Sequence, residues 1–270
     1  MDFLSLIGNS RLYTFHSHTE FCDGRAQMEA FAREAVNRGF THYGFTPHSP
    51  IPIESPCNMT LANVPRFFAE VERIRNEYGH LCHFYAGMEI DYLGDEWGPA
   101  SPYFASLPLD YSIGSVHFIP SQEGEYVDID GHFDSFRRKM SRFFHDDIRY
   151  VVETFYSQSH RMLDAGGFHI IGHLDKIGHN ASHWQEGIEN EPWYRTLADE
   201  LIDHVAASGV TVEINTKAKT DHNRVFPKER HLQRLIEARV PIIVNSDAHV
   251  PALINAGRHY ALELITAQSR

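Results

Sequence analysis

"RLYTFHSHTEFCDG" (residues 11–24) decides how the rest of this chain is read. An apolar, aromatic run suited to a strand closes on His16 and His18, and a turn-forming Asp23-Gly24 pair follows five residues after His18. Strand side chains alternate with period two, so H-x-H presents both imidazoles on one face, where they can reach a common ion. In a chain with 19 histidines such a pair arises easily by chance. It gains weight only if other segments end the same way.

They do. "THYGFTPH" (41–48), "CHFYAGMEI" (82–90), "DYSIGSVHF" (110–118), "GFHIIGH" (167–173), "GVTVEIN" (209–215) and "VPIIVNSDAH" (240–249) are further strand-like runs bounded by turn residues. Helical spacing occupies 26–38, 61–78, 145–165, 193–207 and 228–238, and glycines mark helix ends in "NRGF", "AGGF" and "ASGV". Strands alternating with helices predict a parallel α/β architecture, either a barrel or a doubly wound sheet. The 270 residues fit one barrel domain, which commonly needs about 250. Residues 94–109 read as a loop with a short helix, and 121–136 as a long polar loop after the fourth strand.

In such a barrel the loops at the carboxyl ends of the strands build the active site. The ends here carry His16 and His18, His48, Glu89, His117, His173, and then Asp247 and His249. Any one of these is an ordinary buried or rim residue. A set of imidazoles and carboxylates lining one cleft demands cations, because buried charge needs a partner or a metal. Histidines in predicted helices and loops, His222 among them, are assigned no site role; His179 and His183 fall in a loop after the fifth strand, with His179 bordering the cleft.

The formal net charge of -12 argues against a nucleic-acid backbone as partner. No apolar run approaches the roughly 18 residues of a membrane span, and the first residues lack the features of a signal peptide. Three widely spaced cysteines, Cys22, Cys57 and Cys82, suit a reducing compartment, so a cytoplasmic location is expected.

"FHSHTEFCDG", "FTPHSP", "AGMEIDY", "GSVHFI", "IIGHLDKI", "EINT" and "VNSDAH", in this order, resemble the polymerase and histidinol phosphatase superfamily, and within it the monofunctional L-histidinol-phosphate phosphatase branch. The resemblance implies a distorted TIM-like (β/α)7 barrel as a single domain over 1–270, with two to three divalent ions. It implies that His16, His18 and Asp247 hold one ion, His117 and His173 a second, and Asp23, His48 and His249 a third, with Glu89 bridging the first two. Pro47 departs from the family pattern, which commonly has Asp or Glu before the histidine at that strand end. Some relatives also carry histidine where this chain has Asp23.

Mixed imidazole and carboxylate ligands suit zinc, manganese or iron. Water bridging two such ions is acidified, and paired ions neutralise the oxygens of a phosphate in line with attack. The expected reaction is hydrolysis of a small-molecule phosphate ester, L-histidinol phosphate on the resemblance, with Glu89, Asp247 and His249 as the catalytic set. A phosphoesterase of the same superfamily acting on nucleotides or another small phosphate, or a metal-binding protein without turnover, are the alternatives. Lys217, Lys219 and Arg224 follow the sixth strand and are candidates for phosphate recognition, with Arg161 and Arg195 from helices; acidic residues of 123–134 suit a cationic substrate amine.

Overall fold

The computed structural model describes residues 1–268. Its strands are β1 (Tyr13–Thr14), β2 (His42–Phe45), β3 (His83–Ala86), β4 (Glu89–Asp91), β5 (Ile113–Ser115), β6 (Phe118–Pro120), β7 (Tyr126–Asp128), β8 (Ile170–Ile171), β9 (Thr211–Asn215) and β10 (Ile242–Asn245). Its helices are α1 (Phe3–Ile7), α2 (Met28–Asn37), α3 (Val64–Tyr78), α4 (Pro102–Ala105), α5 (Phe133–Phe143), α6 (Ile148–Ala165), α7 (Ile177–Trp184), α8 (Pro192–Ser208), α9 (Lys219–His222), α10 (Leu232–Glu237) and α11 (Arg258–Gln268).

All strand pairs except the β6–β7 hairpin are parallel, in the orders β1-β2-β3 and β10-β9-β8-β5-β4. A parallel bridge between His48 and Glu89 joins the two runs on one side, and one between Ser17 and Ala248 joins them on the other. Since β3 and β4 are one strand bent at Gly87 and Met88, seven strands close into a distorted TIM-like (β/α)7 barrel, as the resemblance implies. The β1–β10 seam is laced partly by side chains. Phe15 N donates to Asn245 Oδ1 at 2.7 Å, and Val244 N to the Tyr13 hydroxyl at 3.1 Å.

The interior below the site is packed. The Tyr111 ring lies across it and donates its hydroxyl proton to Phe15 O at 2.7 Å. Only glycine leaves room for that ring: a Cβ on Gly44 would stand 1.9 Å from Tyr111 Oη, and one on Gly87 2.5 Å from Tyr111 Cζ. α1 plugs the amino end, with the Phe3 ring 4.9 Å from Phe15 and 5.5 Å from Tyr111. This leaves the carboxyl end as the open mouth.

Helices wrap the barrel through apolar stripes. In α2 the buried residues are Met28, Phe31, Ala32 and Ala35, the i, i+3, i+4, i+7 spacing of one helix face. Full burial of a ring such as Phe31 contributes about 1.5–3 kcal/mol.

Two local expectations are corrected. Residues 121–136 are not one long loop: β6 and β7 form an antiparallel hairpin and α5 begins at Phe133. Val127, Ile129, Phe136 and Met140 are buried there in the same apolar cluster, a stripe masked in sequence by the polar residues between them. His179 and His183 lie in α7, not in a loop. Ile177 and Ala181, one turn apart, are buried in that cluster, and this packing overrides the low helix propensity of Gly178 and Asn180.

Candidate metal centre

Three departures from regular strand geometry bring the polar residues inward. β1 is interrupted by a bend at Phe15, so Phe15 packs in the barrel floor while His16 and His18 project above it. At the fifth strand Gly172 faces inward, since a Cβ there would meet Ser115 Oγ at 2.5 Å. Regular alternation would therefore point His173 outward. A φ of +22° turns it in, and its N–H donates to Glu213 Oε2 at 3.0 Å. Asp247 also has a left-handed φ of +49°; such backbone in a non-glycine residue is held only by strong surroundings and concentrates at functional sites.

Glu89 lies in the middle of the site. Its Oε2 is 3.2 Å from His16 Nε2, 3.5 Å from His18 Nε2 and 3.1 Å from His48 Nδ1. Its Oε1 is 2.8 Å from His173 Nε2, 3.4 Å from His117 Nε2, and accepts from Ser115 Oγ at 2.7 Å. Asp247 Oδ1 stands 3.1 Å from His18 Nε2 and 3.8 Å from His16 Nε2. At the rim, Asp23 Oδ1 is 3.2 Å from His249 Nε2, 3.7 Å from His18 Nδ1 and 3.8 Å from His48 Nε2. All nine residues read from the strand ends and the following loop thus meet in one place. Three ligand-like groups stand out, His16 with His18 and Asp247, His48 with Glu89 and His117, and His18 with Asp23, His48 and His249, the donor atoms of each within 4.8 Å of one another.

The donor set fits divalent ions. His16 Nε2, His18 Nε2, Glu89 Oε2 and Asp23 Oδ1 are buried without a hydrogen-bond partner among the described residues, an arrangement that is costly unless something else occupies the space between them. The outer nitrogens are held. His16 Nδ1 donates to Glu213 Oε1 and His117 Nδ1 to Asp91 Oδ1, each at 2.7 Å, and His249 Nδ1 to Asp247 O at 3.0 Å. These bonds leave each Nε2 lone pair facing the centre, the arrangement by which carboxylates and carbonyls orient metal-binding histidines. His48, after Pro47, has both ring nitrogens against the inner carboxylates Glu89 and Asp23.

Charge makes the same point. Glu89, Asp91, Glu213 and Asp247 are each at most 3% exposed. Burial alone would raise the pKa of Glu89, but the His16, His117 and His48 charges outweigh it and hold the carboxyl well below its usual range; Asp247 is held down likewise, against burial, by Lys217, His16 and His18. For His16 burial disfavours the imidazolium, and Glu213, Glu89 and Asp247 reverse that, raising its pKa. So dense a set of buried carboxylates calls for positive charge at the spot the Nε2 atoms face.

Glu213, Asp91, Asn215, Asn245 and Lys176 were not picked out from the sequence. A period-two signal existed: Asp91 follows Glu89 on the same strand face, and Glu213 and Asn215 are two apart in "TVEIN". Lys176 Nζ pairs with Asp130 Oδ2 at 2.7 Å; burial disfavours its charge, but Asp130, Asp247 and Glu89 outweigh that and raise its pKa.

Of the five candidate phosphate-binding cations, Lys217 is at the site, its Nζ 3.4 Å from Asp247 Oδ1 and 3.2 Å from His249 Nε2. The other four are placed elsewhere. Lys219 sits 3.4 Å above the Tyr260 ring and bonds Asn223; Arg224 is locked to Glu189 at 2.8 and 3.0 Å. Arg161 faces Asp95 on the outside of α6, and Arg195 bonds Asn190 beside α8. Sequence position after a strand did not reveal that nearer acids hold these cations. Beside Lys217 and Asn215 a cavity of about 490 Å³ opens, lined also by Asp130, Phe133, Asp134 and His179.

A PHP domain model matches residues 14–217. The histidinol-phosphatase of Bacillus subtilis (strain 168) is 25% identical over 264 residues, covering 87% of this chain and 92% of the relative. The histidinol-phosphatase of Lactococcus lactis subsp. lactis is 24% identical over 212 residues, 77% of this chain and 72% of the relative. A solved structure of a candidate histidinol phosphatase from Listeria monocytogenes superposes with a TM-score of 0.81 at 17% identity, over 92% of this chain and 99% of the other. The histidinol phosphate phosphatase of Lactococcus lactis, solved in complex with zinc, L-histidinol and phosphate, gives a TM-score of 0.64 at 20% identity, over 95% and 93%. No helix among the described residues is long and apolar enough to cross a membrane. With a match over more than half its length, and with the strand-end residues of that match converging as described, the chain belongs to the PHP domain family.

Proposed function

We propose that this protein is a metal-dependent phosphomonoesterase that hydrolyses L-histidinol phosphate to L-histidinol and phosphate, a step of histidine biosynthesis, and that 1–270 is one PHP-type barrel. The observation that carries the reading is the set of unpartnered, buried donor atoms of His16, His18, Asp23 and Glu89 facing one another beside an open cavity. The curated relatives named histidinol-phosphatase, and a relative solved with zinc, L-histidinol and phosphate, support the substrate.

In this reading His16, His18 and Asp247 would hold one divalent ion, His117 and His173 a second, and Asp23, His48 and His249 a third, with Glu89 available to the first two. Bound divalent ions acidify water and neutralise phosphoryl oxygens. The chain's own residues set the rest. Asp247 is held ionised and takes a hydrogen bond from Asn215 Nδ2 at 3.0 Å, so it is a ligand and not a proton donor. His249 Nε2 stands 3.2 Å from Asp23 Oδ1, which fits the ligand role; the leaving alkoxide would then take its proton from solvent. Lys217 is the cation placed to meet the phosphate. The cavity, within the volume range typical of small-molecule sites, would take the organic part, and Asp130 and Asp134 in its lining are the acids nearest a substrate amine held there.

The test is phosphate release from L-histidinol phosphate, with metal content measured in the same samples, for the wild type and Glu89→Ala. Release with two to three metal equivalents, both lost in the variant, is the expected result. Bound metal without release from this ester, but release from another in a panel of small phosphates, would retain the centre and refute the substrate.

A further inference from the structure

Outside the hydrolytic centre, three histidines meet on the wall of the same cavity. His179 and His183 are one turn apart on α7, and His222 ends α9. Their rings stand 4.6 Å (His179 to His183), 4.4 Å (His179 to His222) and 6.1 Å (His183 to His222) apart between centroids, each pair steeply inclined. One nitrogen from each lies within 4.8 Å of the others.

We infer that His179, His183 and His222 form a separate binding site for a divalent transition metal of the zinc class. The i, i+4 spacing on a helix places two imidazoles on one face, and the third comes from across the cavity. His183 Nδ1 must donate to His179 O, at 2.8 Å, because a carbonyl only accepts. The lone pair of its Nε2 is therefore free, with the ring held as metal-binding histidines are held. No hydrogen bond among the described residues engages the ring nitrogens of His179 or His222. Asp134 and Asp221 line the same cavity. An all-imidazole set selects zinc, cobalt or nickel over magnesium or calcium, and three protein ligands leave a coordination position open toward the cavity.

The inference is independent of the hydrolytic reading, and its test needs no turnover. Full-length protein, its resident metal content first measured by elemental analysis, is titrated calorimetrically with Zn²⁺, and in parallel with Mg²⁺, for the wild type, His183→Ala and His222→Ala. The wild type is expected to take up one equivalent of zinc beyond its resident metal, and no magnesium. Each variant should weaken that uptake by more than about tenfold, the smallest loss expected even for an outer partner of a metal ligand, with resident content unchanged. No further uptake by the wild type, or uptake of wild-type affinity in both variants, overturns it. His183→Ala and His222→Ala alter exposed side chains, so folding is not at stake.

Discussion

Glu213→Gln keeps the volume of a fully buried side chain and removes only its charge and its capacity to accept hydrogen bonds at both oxygens. Four donors converge on Glu213. Oε1 accepts from His16 Nδ1 at 2.7 Å and Asn245 Nδ2 at 3.0 Å, and Oε2 from His173 N at 3.0 Å and Asn215 Nδ2 at 3.1 Å. Neither asparagine can turn its carbonyl toward a glutamine amide. Asn245 Oδ1 is committed to Phe15 N, and Asn215 Oδ1 to Lys217 N. With His16 donating from Nδ1, the glutamine NH2 therefore faces two donors in either orientation. At about 1–3 kcal/mol for each buried donor left unsatisfied, the cost to stability is about 2–6 kcal/mol. Loss of the carboxylate behind His16 should weaken metal binding by about 10- to 100-fold, which is about 1.4–2.7 kcal/mol. Zinc competition against a chromophoric chelator measures the second quantity, and thermal melting of the metal-free protein the first. If Glu213→Gln binds zinc and melts as the wild type does, Glu213 only fills space and the account of the outer hydrogen bonds is wrong.

Lys217→Met should lower kcat/KM for the phosphate ester by about 10- to 100-fold, the worth of a charge-assisted hydrogen bond, at unchanged metal content; equal loss of metal would show that Lys217 supports the ligands instead. Glu189 gives a pH signature remote from the centre. Burial raises its pKa, but the Arg224 and Lys228 contacts outweigh that and hold it at about 2 against an ordinary 4.5. A depressed carboxyl stabilises the fold above its unfolded pKa and loses that contribution as pH falls through the folded one. The difference in unfolding free energy between wild type and Glu189→Gln, both metal-free, should thus shrink by about 3 kcal/mol from pH 5 toward pH 2. Parallel curves in urea titrations across that range would contradict the Arg224–Glu189 pairing.

The seven barrel strands, most of the helices and the eight strand-end residues that meet at the barrel mouth are legible because they follow local rules, whereas the β6–β7 hairpin is not and Asp23 joins the set only through the resemblance. Apolar alternation marks a strand, and position at a strand's carboxyl end marks the mouth of a parallel barrel, so His48 and Asp247 could be placed without knowing what lay beside them. Strict alternation counted from Phe15 would have turned His16 outward, and counted from Gly172 would have turned His173 outward. The bend at Phe15 and the left-handed backbone at His173 correct both, and these arise from closing the barrel around the Tyr111 ring and the Glu213 hydrogen bonds.

What the tertiary structure alone decided are the pairings. Arg224 and Lys217 look alike in "TKAKTDHNR", but Glu189, from the turn between α7 and α8, captures the first and leaves the second at the site. His222 has no second ligand type along its own segment, yet α7 brings His179 and His183 to it on the cavity wall. Sequence determined which side chains stand at which end of which element, because that is set by backbone periodicity within a few residues. Which charge meets which countercharge, and so which histidines gather in one place, depends on distances between segments 35 to 197 residues apart, and only the closed barrel sets those.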